Sequence, residues 1–314
     1  MPLPSRDPDV LVERVLAHDR GAVARLISLV ECGGPDAIRA VAQLFARTGG
    51  AYTVGVTGAP GSGKSTLSDA LIARVRAEGA EIGVLAIDPT SPFSGGAILG
   101  DRVRMQDHAT DPGVFIRSMA TRGHLGGLAL ATRQAQRVLD AAGLPWVLVE
   151  TVGVGQVEVD IAGAADTTVV VVNPGWGDGV QANKAGLLEI ADVFVVNKAD
   201  RDGVAETARD LEMMLDLSMP GAWRPPIIQT VATTGAGVDE LWTAIGEHRS
   251  FVEQGGELAR RRRHRLRAEL RAIVVARLHA DADERLDGDR FDALVERVAA
   301  REVDPYTAVD ELLS

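Results

Sequence analysis

Gly58, Ala59, Pro60, Gly61, Ser62, Gly63, Lys64, Ser65 and Thr66 run consecutively, and their types and order suit them to hold a polyphosphate. Glycines let backbone N–H groups converge on phosphate oxygens, the lysine reaches the outer phosphates, and the next serine offers a hydroxyl to magnesium. The stretch follows the strand-like run YTVGV and opens a helix, the context in which GxxxxGK[ST] has a mechanical meaning. These nine residues are therefore candidate nucleotide-binding residues, and the expected ligand is a nucleoside triphosphate with Mg2+.

A second group would read the base. Asn197, Lys198 and Asp200 stand in NKAD, at the end of the apolar run DVFVVN. A carboxylate held edge-on accepts from both N1–H and the exocyclic amine of guanine. Adenine has an unprotonated N1 and no amine at that position, so Asp200 selects guanine and the pair GTP/GDP. Lys198 lays its aliphatic stem along the base plane. Farther on, TVATTGAG follows another strand end, and Ala232 and Thr233 there are candidates for a backbone contact to the guanine oxygen.

Three carboxylates are candidates for the magnesium shell together with Ser65. Asp88 lies in IDPTSP at the end of a strand-like run, Asp101 lies in the glycine-containing FSGGAILGDRVRM, and Glu150 ends VLVE. After Glu150 the chain reads TVGVGQ. Where a water-orienting glutamine directly follows the glycine in Ras-like nucleotidases, Gly153 is followed here by Val154, and Gln156 comes two positions later. An aliphatic side chain cannot hold the attacking water, so intrinsic hydrolysis is expected to be slow.

These residues need rigid supports, and the chain supplies them in alternation. Short β-branched runs, TVGV, IGVLAID, WVLVET, TTVVVVN, DVFVVN and PIIQTV, are separated by helical stretches such as Lys64 to Glu78. Strands apolar on both faces, alternating with helices, imply a doubly wound α/β core with a mostly parallel sheet. The expected organisation is an N-terminal helical extension over 1–50, a nucleotide-binding domain over 51–250 and a C-terminal helical extension over 251–314. In the last, Glu257 to His279 reads as one long helix with Leu266, Leu270, Ile273, Val274 and Leu278 on one face. The run Arg260 to Arg263 on its first turns reads as a solvated or partner-facing surface rather than a nucleic-acid patch.

Composition bounds the partners. The 314 residues carry a formal charge of −11, which argues against bulk attraction to nucleic acid or to an anionic membrane. No segment reaches the roughly 18 to 20 uninterrupted apolar residues of a membrane span. The N-terminus does not read as a signal peptide. Cys32 is the only cysteine, so no disulfide forms within one chain, and a reducing, cytoplasmic compartment is expected. The six histidines are scattered without the paired spacing of a zinc or nickel site.

Taken in order, GAPGSGKST, AIDPTSPFSGGAILGDRVRM, ETVGVGQVEVD, NPGWGDGVQANKAG and NKAD resemble the MeaB/ArgK-type GTPases, the methylmalonyl-CoA mutase-associated family of the SIMIBI class of P-loop GTPases. The likeness extends over nearly the whole chain. It implies a homodimeric, guanine-nucleotide-dependent chaperone of the adenosylcobalamin enzyme methylmalonyl-CoA mutase. By position it implies Lys64 and Ser65 at the phosphates and magnesium, Asp88 and Asp101 in a first switch, Glu150 and Gly153 in a second, and Asp178, Gln181 and Lys184 in a third, Asn173 to Gly186. Hydrolysis would then rise when the mutase rearranges the switches, with Lys64, Glu150, Gln156 and Lys184 as catalytic candidates. Two other readings stay open: a phosphotransferase or ATPase of a basic amino-acid transport system, as an older family name has it, and a nickel-delivery GTPase.

Overall fold

A computed structural model of the chain describes residues 7–89, 108, 110–121, 127–151, 163–175, 186, 188–217, 222–286 and 288–313. By contacts the chain divides into two compact units, Met1–Arg265 and Leu266–Ser314.

The first unit is built on seven strands, β1 (Tyr52–Gly58), β2 (Ile82–Pro89), β3 (Val114–Thr121), β4 (Trp146–Thr151), β5 (Thr167–Val172), β6 (Val193–Asn197) and β7 (Ile227–Thr230). They form one sheet in the order β3-β2-β4-β1-β5-β6-β7. Every pairing is parallel. The strands are apolar on both sides because both sides are covered. Val169 and Val171 face one helical layer, while Val170 and Val172 face the other, and all four are fully buried. β3 is the strand that the sequence reading passed over. Arg117 interrupts its apolar run, and it takes an edge position, where Arg117 reaches Glu31 at 2.6 Å and Ser28 at 2.9 Å.

On one face lie the helices α1 (Pro8–Leu16), α2 (Arg20–Cys32) and α3 (Pro35–Leu44). Asp19 starts α2 by accepting from the Ala22 N–H at 2.9 Å, satisfying one of the free donors of the first turn. Leu26, Ile27 and Leu44 pack with Leu139, from a further helix of the same layer, against Leu85, Val147 and Val149 of the sheet. That layer includes the helix Gly127–Ala141, here α5. On the opposite face, α4 (Lys64–Ala77) and the helix Val238–Gln254 pack Leu67, Leu71, Ile72, Leu241 and Ile245 against Val54, Val56, Leu148 and Val195. The helix Val204–Leu217 is α6, and Val238–Gln254 is α7.

A long helix, α8 (Glu257–Leu286), begins in the first unit. Arg260 and Arg263 of its arginine run are exposed, as expected of a solvated surface, but Arg261 and Arg262 turn inward. Arg262 reaches Asp166 at 2.7 Å and the carbonyls of Gly49 and Ala51, each at 2.7 Å. Arg261 reaches Asp192 at 2.9 Å, and Arg265, beyond the run, also pairs with Asp166. These carboxylates immediately precede β5 and β6, so the root of α8 is fastened to the N-terminal edge of the sheet. Burial alone would push both carboxyls up. For Asp166 the guanidinium groups of Arg262 and Arg265 outweigh it; for Asp192, His248 and Arg261 do so, and both carboxyls sit below the usual range.

The second unit holds the rest of α8 with α9 (Asp289–Ala299) and α10 (Pro305–Leu313). Leu294, Ala308 and Leu312 form its small core, and Arg297 pairs with Glu311 at 2.6 Å. Along α8, Leu266, Leu270, Val274 and Leu278 recur every four residues and are all exposed. Among the described residues no helix is long and apolar enough to cross a membrane.

Candidate functional site

The order of the strands reverses direction at β1: the chain moves outward through β2 and β3, returns through β4 beside β1, and continues on the other side through β5, β6 and β7. In such sheets the crevice beyond the C-terminal ends of the central strands is where ligands bind. The nucleotide-binding candidates come together there. Gly58 closes β1 and Lys64 opens α4, so the intervening turn lies at the positive N-terminal end of a 14-residue helix.

Two glycines in this loop answer specific steric demands. Gly58 has φ of 138°, and a Cβ there would stand 2.0 Å from the Val171 carbonyl oxygen of neighbouring β5. Gly63 has φ of 92°, and its Cβ would stand 2.3 Å from Asn197 Nδ2. A side chain at either position would separate the loop from β5 or from Asn197. The Lys64 side chain is buried, and its ammonium donates to the carbonyls of Gly58 at 2.7 Å and Ala59 at 2.9 Å. Main-chain carbonyls thus hold a charged donor at the mouth of the loop.

Asn197 ties the base-reading segment to this loop. Its Nδ2 donates to the Ser62 carbonyl at 2.9 Å, while its Oδ1 accepts from Thr230 Oγ1 at 3.0 Å and from the Ala232 N–H at 3.2 Å. Lys198 follows with φ of 59° and donates from Nζ to the Gly61 carbonyl at 2.7 Å. A left-handed lysine is an uncommon conformation, held here by its neighbours: the Ala199 N–H donates to the Thr230 carbonyl at 2.9 Å. Asp200 and Thr233 are exposed beside this buried hub. Asn197, Lys198 and Ala232 are therefore brought to the phosphate loop. The linking role of Thr230 and of the Ser62 carbonyl was not readable from the sequence, because it depends on which strand ends become neighbours.

Glu150 ends the ladder between β4 and β1, in register with Val56. Its carboxylate is buried, and Oε1 accepts from Ser65 Oγ at 2.6 Å. The glutamate side chain is long enough to bring the carboxylate directly to the loop serine. One residue later, Thr151 Oγ1 donates to Thr57 Oγ1 at 3.2 Å. A hydroxyl and a carboxylate are hard oxygen donors, the chemistry that magnesium takes, so Ser65 and Glu150 fit that ion. Asp88 lies near the end of β2, in backbone register with Ala120 of β3; its side chain is outside the described residues. Asp101, Gly153, Val154, Gln156, Asp178, Gln181 and Lys184 also fall outside the described residues.

The described histidines are dispersed. His248 is fully buried, with Nδ1 2.8 Å from Thr167 Oγ1 and Nε2 3.1 Å from Asp192, whereas His108 lies 3.4 Å from Asp69 and His18 lies 2.6 Å from the Ala142 carbonyl. Among the described residues no group of three or more His, Cys, Asp or Glu is arranged to hold a metal ion.

Comparison with known proteins agrees with this geometry. A family model described as methylmalonyl Co-A mutase-associated GTPase MeaB matches residues 23–286. The chain is 53% identical over 309 residues to a putative GTPase of Pyrococcus abyssi, covering 97% of this chain and 95% of the relative. A Caenorhabditis elegans protein described as methylmalonic aciduria type A homolog, mitochondrial, is 32% identical over 283 residues, covering 83% of this chain and 71% of the relative. The fold is similar to a crystal structure titled LAO/AO transport system kinase, with a TM-score of 0.74, 25% identity, and coverage of 99% of this chain and 98% of that one.

Proposed function

The chain belongs to the MeaB family of methylmalonyl-CoA mutase-associated GTPases, and from that premise we propose that it is a cytoplasmic, magnesium-dependent GTPase that gates adenosylcobalamin loading and protects methylmalonyl-CoA mutase. The observation that carries this reading is the Asn197 hub, which joins a guanine-selecting segment to a phosphate loop in one buried hydrogen-bond set. In the proposed mechanism Lys64 and the loop N–H groups hold the β- and γ-phosphates, and Asp200 accepts from the guanine edge. Ser65 and Glu150 would hold magnesium, joined by Asp88 and Asp101 from the first switch. The ion, when bound, neutralises charge developing on the phosphoryl oxygens.

Val154 supports a slow intrinsic rate, since it cannot orient water. Rearrangement of the second and third switches by the mutase would then bring Gln156, Gln181 or Lys184 to the phosphates. The exposed stripe of Leu266, Leu270, Val274 and Leu278 supports a homodimer joined through the C-terminal helices. The test is affinity capture from native extract on an immobilised GTP analogue. A cobalamin-dependent mutase should be retained with the protein; its consistent absence would count against the assignment.

A second reading comes from the neighbour titled LAO/AO transport system kinase. A phosphotransferase would pass the γ-phosphoryl group to a protein or small-molecule acceptor instead of water. Labelled γ-phosphate recovered on an acceptor, rather than as inorganic phosphate, would favour it.

A further inference from the structure

We infer that Thr57 and Thr151 form a hydroxyl staple that positions Glu150 against Ser65 and thereby sets how tightly the protein holds magnesium alongside the nucleotide. The inference rests on the proposed role of Glu150 at the magnesium side of the site and adds to it two residues outside the phosphate loop.

The ladder between β1 and β4 ends at Val56 and Glu150. One residue later, Thr57 and Thr151 stay in register only on their outer sides, with Val170 of β5 and Ile87 of β2. At this divergence the side-chain bond from Thr151 Oγ1 to Thr57 Oγ1 carries the connection one residue farther. Both threonines are almost completely buried, at 0% and 1% residue exposure, and the residues in register with them on the outer sides, Val170 and Ile87, are aliphatic. Valine has the same shape as threonine and would fill either place without burying a hydroxyl, so packing alone does not account for the pair.

The pair stands between two groups it can align. Thr57 directly precedes Gly58 and the phosphate loop, and Thr151 directly follows Glu150, whose Oε1 accepts from Ser65 Oγ. Joining the two strand ends fixes the peptide on the C-terminal side of Glu150 relative to the loop. Without the staple, the carboxylate keeps its chemistry but not its aim. Thr57 and Thr151 are accordingly positioning residues acting through Glu150.

The test compares Thr57→Val, Thr151→Val, the double variant and Thr151→Ser in the full chain. Binding of a fluorescent GTP analogue is followed across a magnesium titration, GDP affinity is measured in EDTA, and melting temperature is recorded. Each valine variant should raise the half-saturating magnesium concentration roughly 2- to 10-fold, the span of one neutral hydrogen bond. The double variant should go no farther than the larger single one, and Thr151→Ser should restore the wild-type titration. GDP affinity in EDTA should not change. Lower melting temperatures with an unchanged magnesium titration would overturn the inference, as would a serine variant as defective as valine. Glu150→Gln separates the two levels. If it shifts the titration and Thr151→Val does not, positioning fails alone; if Glu150→Gln has no effect, the magnesium role of Glu150 fails and this inference fails with it.

Discussion

At the C-terminal edge of the sheet, the charged donors Lys64 and Lys198 are held by main-chain carbonyls of a glycine-rich loop. At the N-terminal edge of the same strands, Asp166 and Asp192 are buried and face arginines from α8. Neutral carbonyls make modest partners that an anionic phosphate can outcompete. Carboxylate and guanidinium make charge-assisted pairs that no small ligand readily displaces. The difference separates a part of the sheet built to exchange partners from a part built to keep them. It also gives the arginine run a structural purpose in a chain whose net charge is −11.

Breaking the fixed edge should have the largest effect on stability. Asp166→Ala leaves Arg262, Arg265 and the Thr53 N–H without their shared acceptor, and removing one partner of a buried charge cluster costs about 3–5 kcal/mol. Thermal melting should show a drop of roughly 6–20 °C for a unit of this size. GTP affinity of the folded protein should change little, since the lesion is at the opposite end of β5.

Breaking the exchanging edge should do the reverse. Lys64→Ala should weaken triphosphate binding by about 100-fold or more, the scale of two charge-assisted hydrogen bonds, while the melting temperature stays close to wild type. Titration calorimetry with GTP checks the first half and differential scanning calorimetry the second. A smaller and more selective change is expected of Asp200→Asn, which should shift preference from guanosine to xanthosine nucleotides. Retained selectivity for GTP over XTP in competition binding would remove Asp200 from base reading.

Acid sharpens the same contrast. Asp166 and Asp192 have folded-state pKa values below their unfolded ones, so their stabilisation is present above the ordinary carboxylate range near 3.9 and is lost as pH falls through the lower folded values. An acid titration followed by circular dichroism should place the loss below about pH 4. Arg262→Met, which removes one of the groups holding Asp166 down, should move the midpoint to higher pH. An unchanged midpoint would mean that these pairs do not govern acid unfolding.

Much of this was legible in the residues because the phosphate loop, NKAD and the buried valine runs are local patterns. A local pattern fixes local geometry: a glycine turn, a strand end, a helix start. What could not be read depends on adjacency between distant segments. Asp166 and Asp192 are unremarkable until β5 and β6 lie side by side beneath α8. Arg261 and Arg262 read as part of a solvated face because their carboxylate partners, Asp192 and Asp166, stand 69 and 96 positions away. β3 went unnoticed since Arg117 breaks its period, and an edge strand tolerates that interruption. Thr57 and Thr151 carry a faint signal, polar β-branched residues near the ends of strand-like runs, that gains meaning once β1 and β4 are known to be neighbours.

In the function we propose, the exchanging edge belongs to a GTPase whose slow turnover is released by a cobalamin mutase. Single-turnover hydrolysis of GTP, measured with and without methylmalonyl-CoA mutase at saturating magnesium, tests it most directly. Slow phosphate release is expected from the protein alone, with clear acceleration when the mutase is added. Equal rates in the two conditions would contradict it.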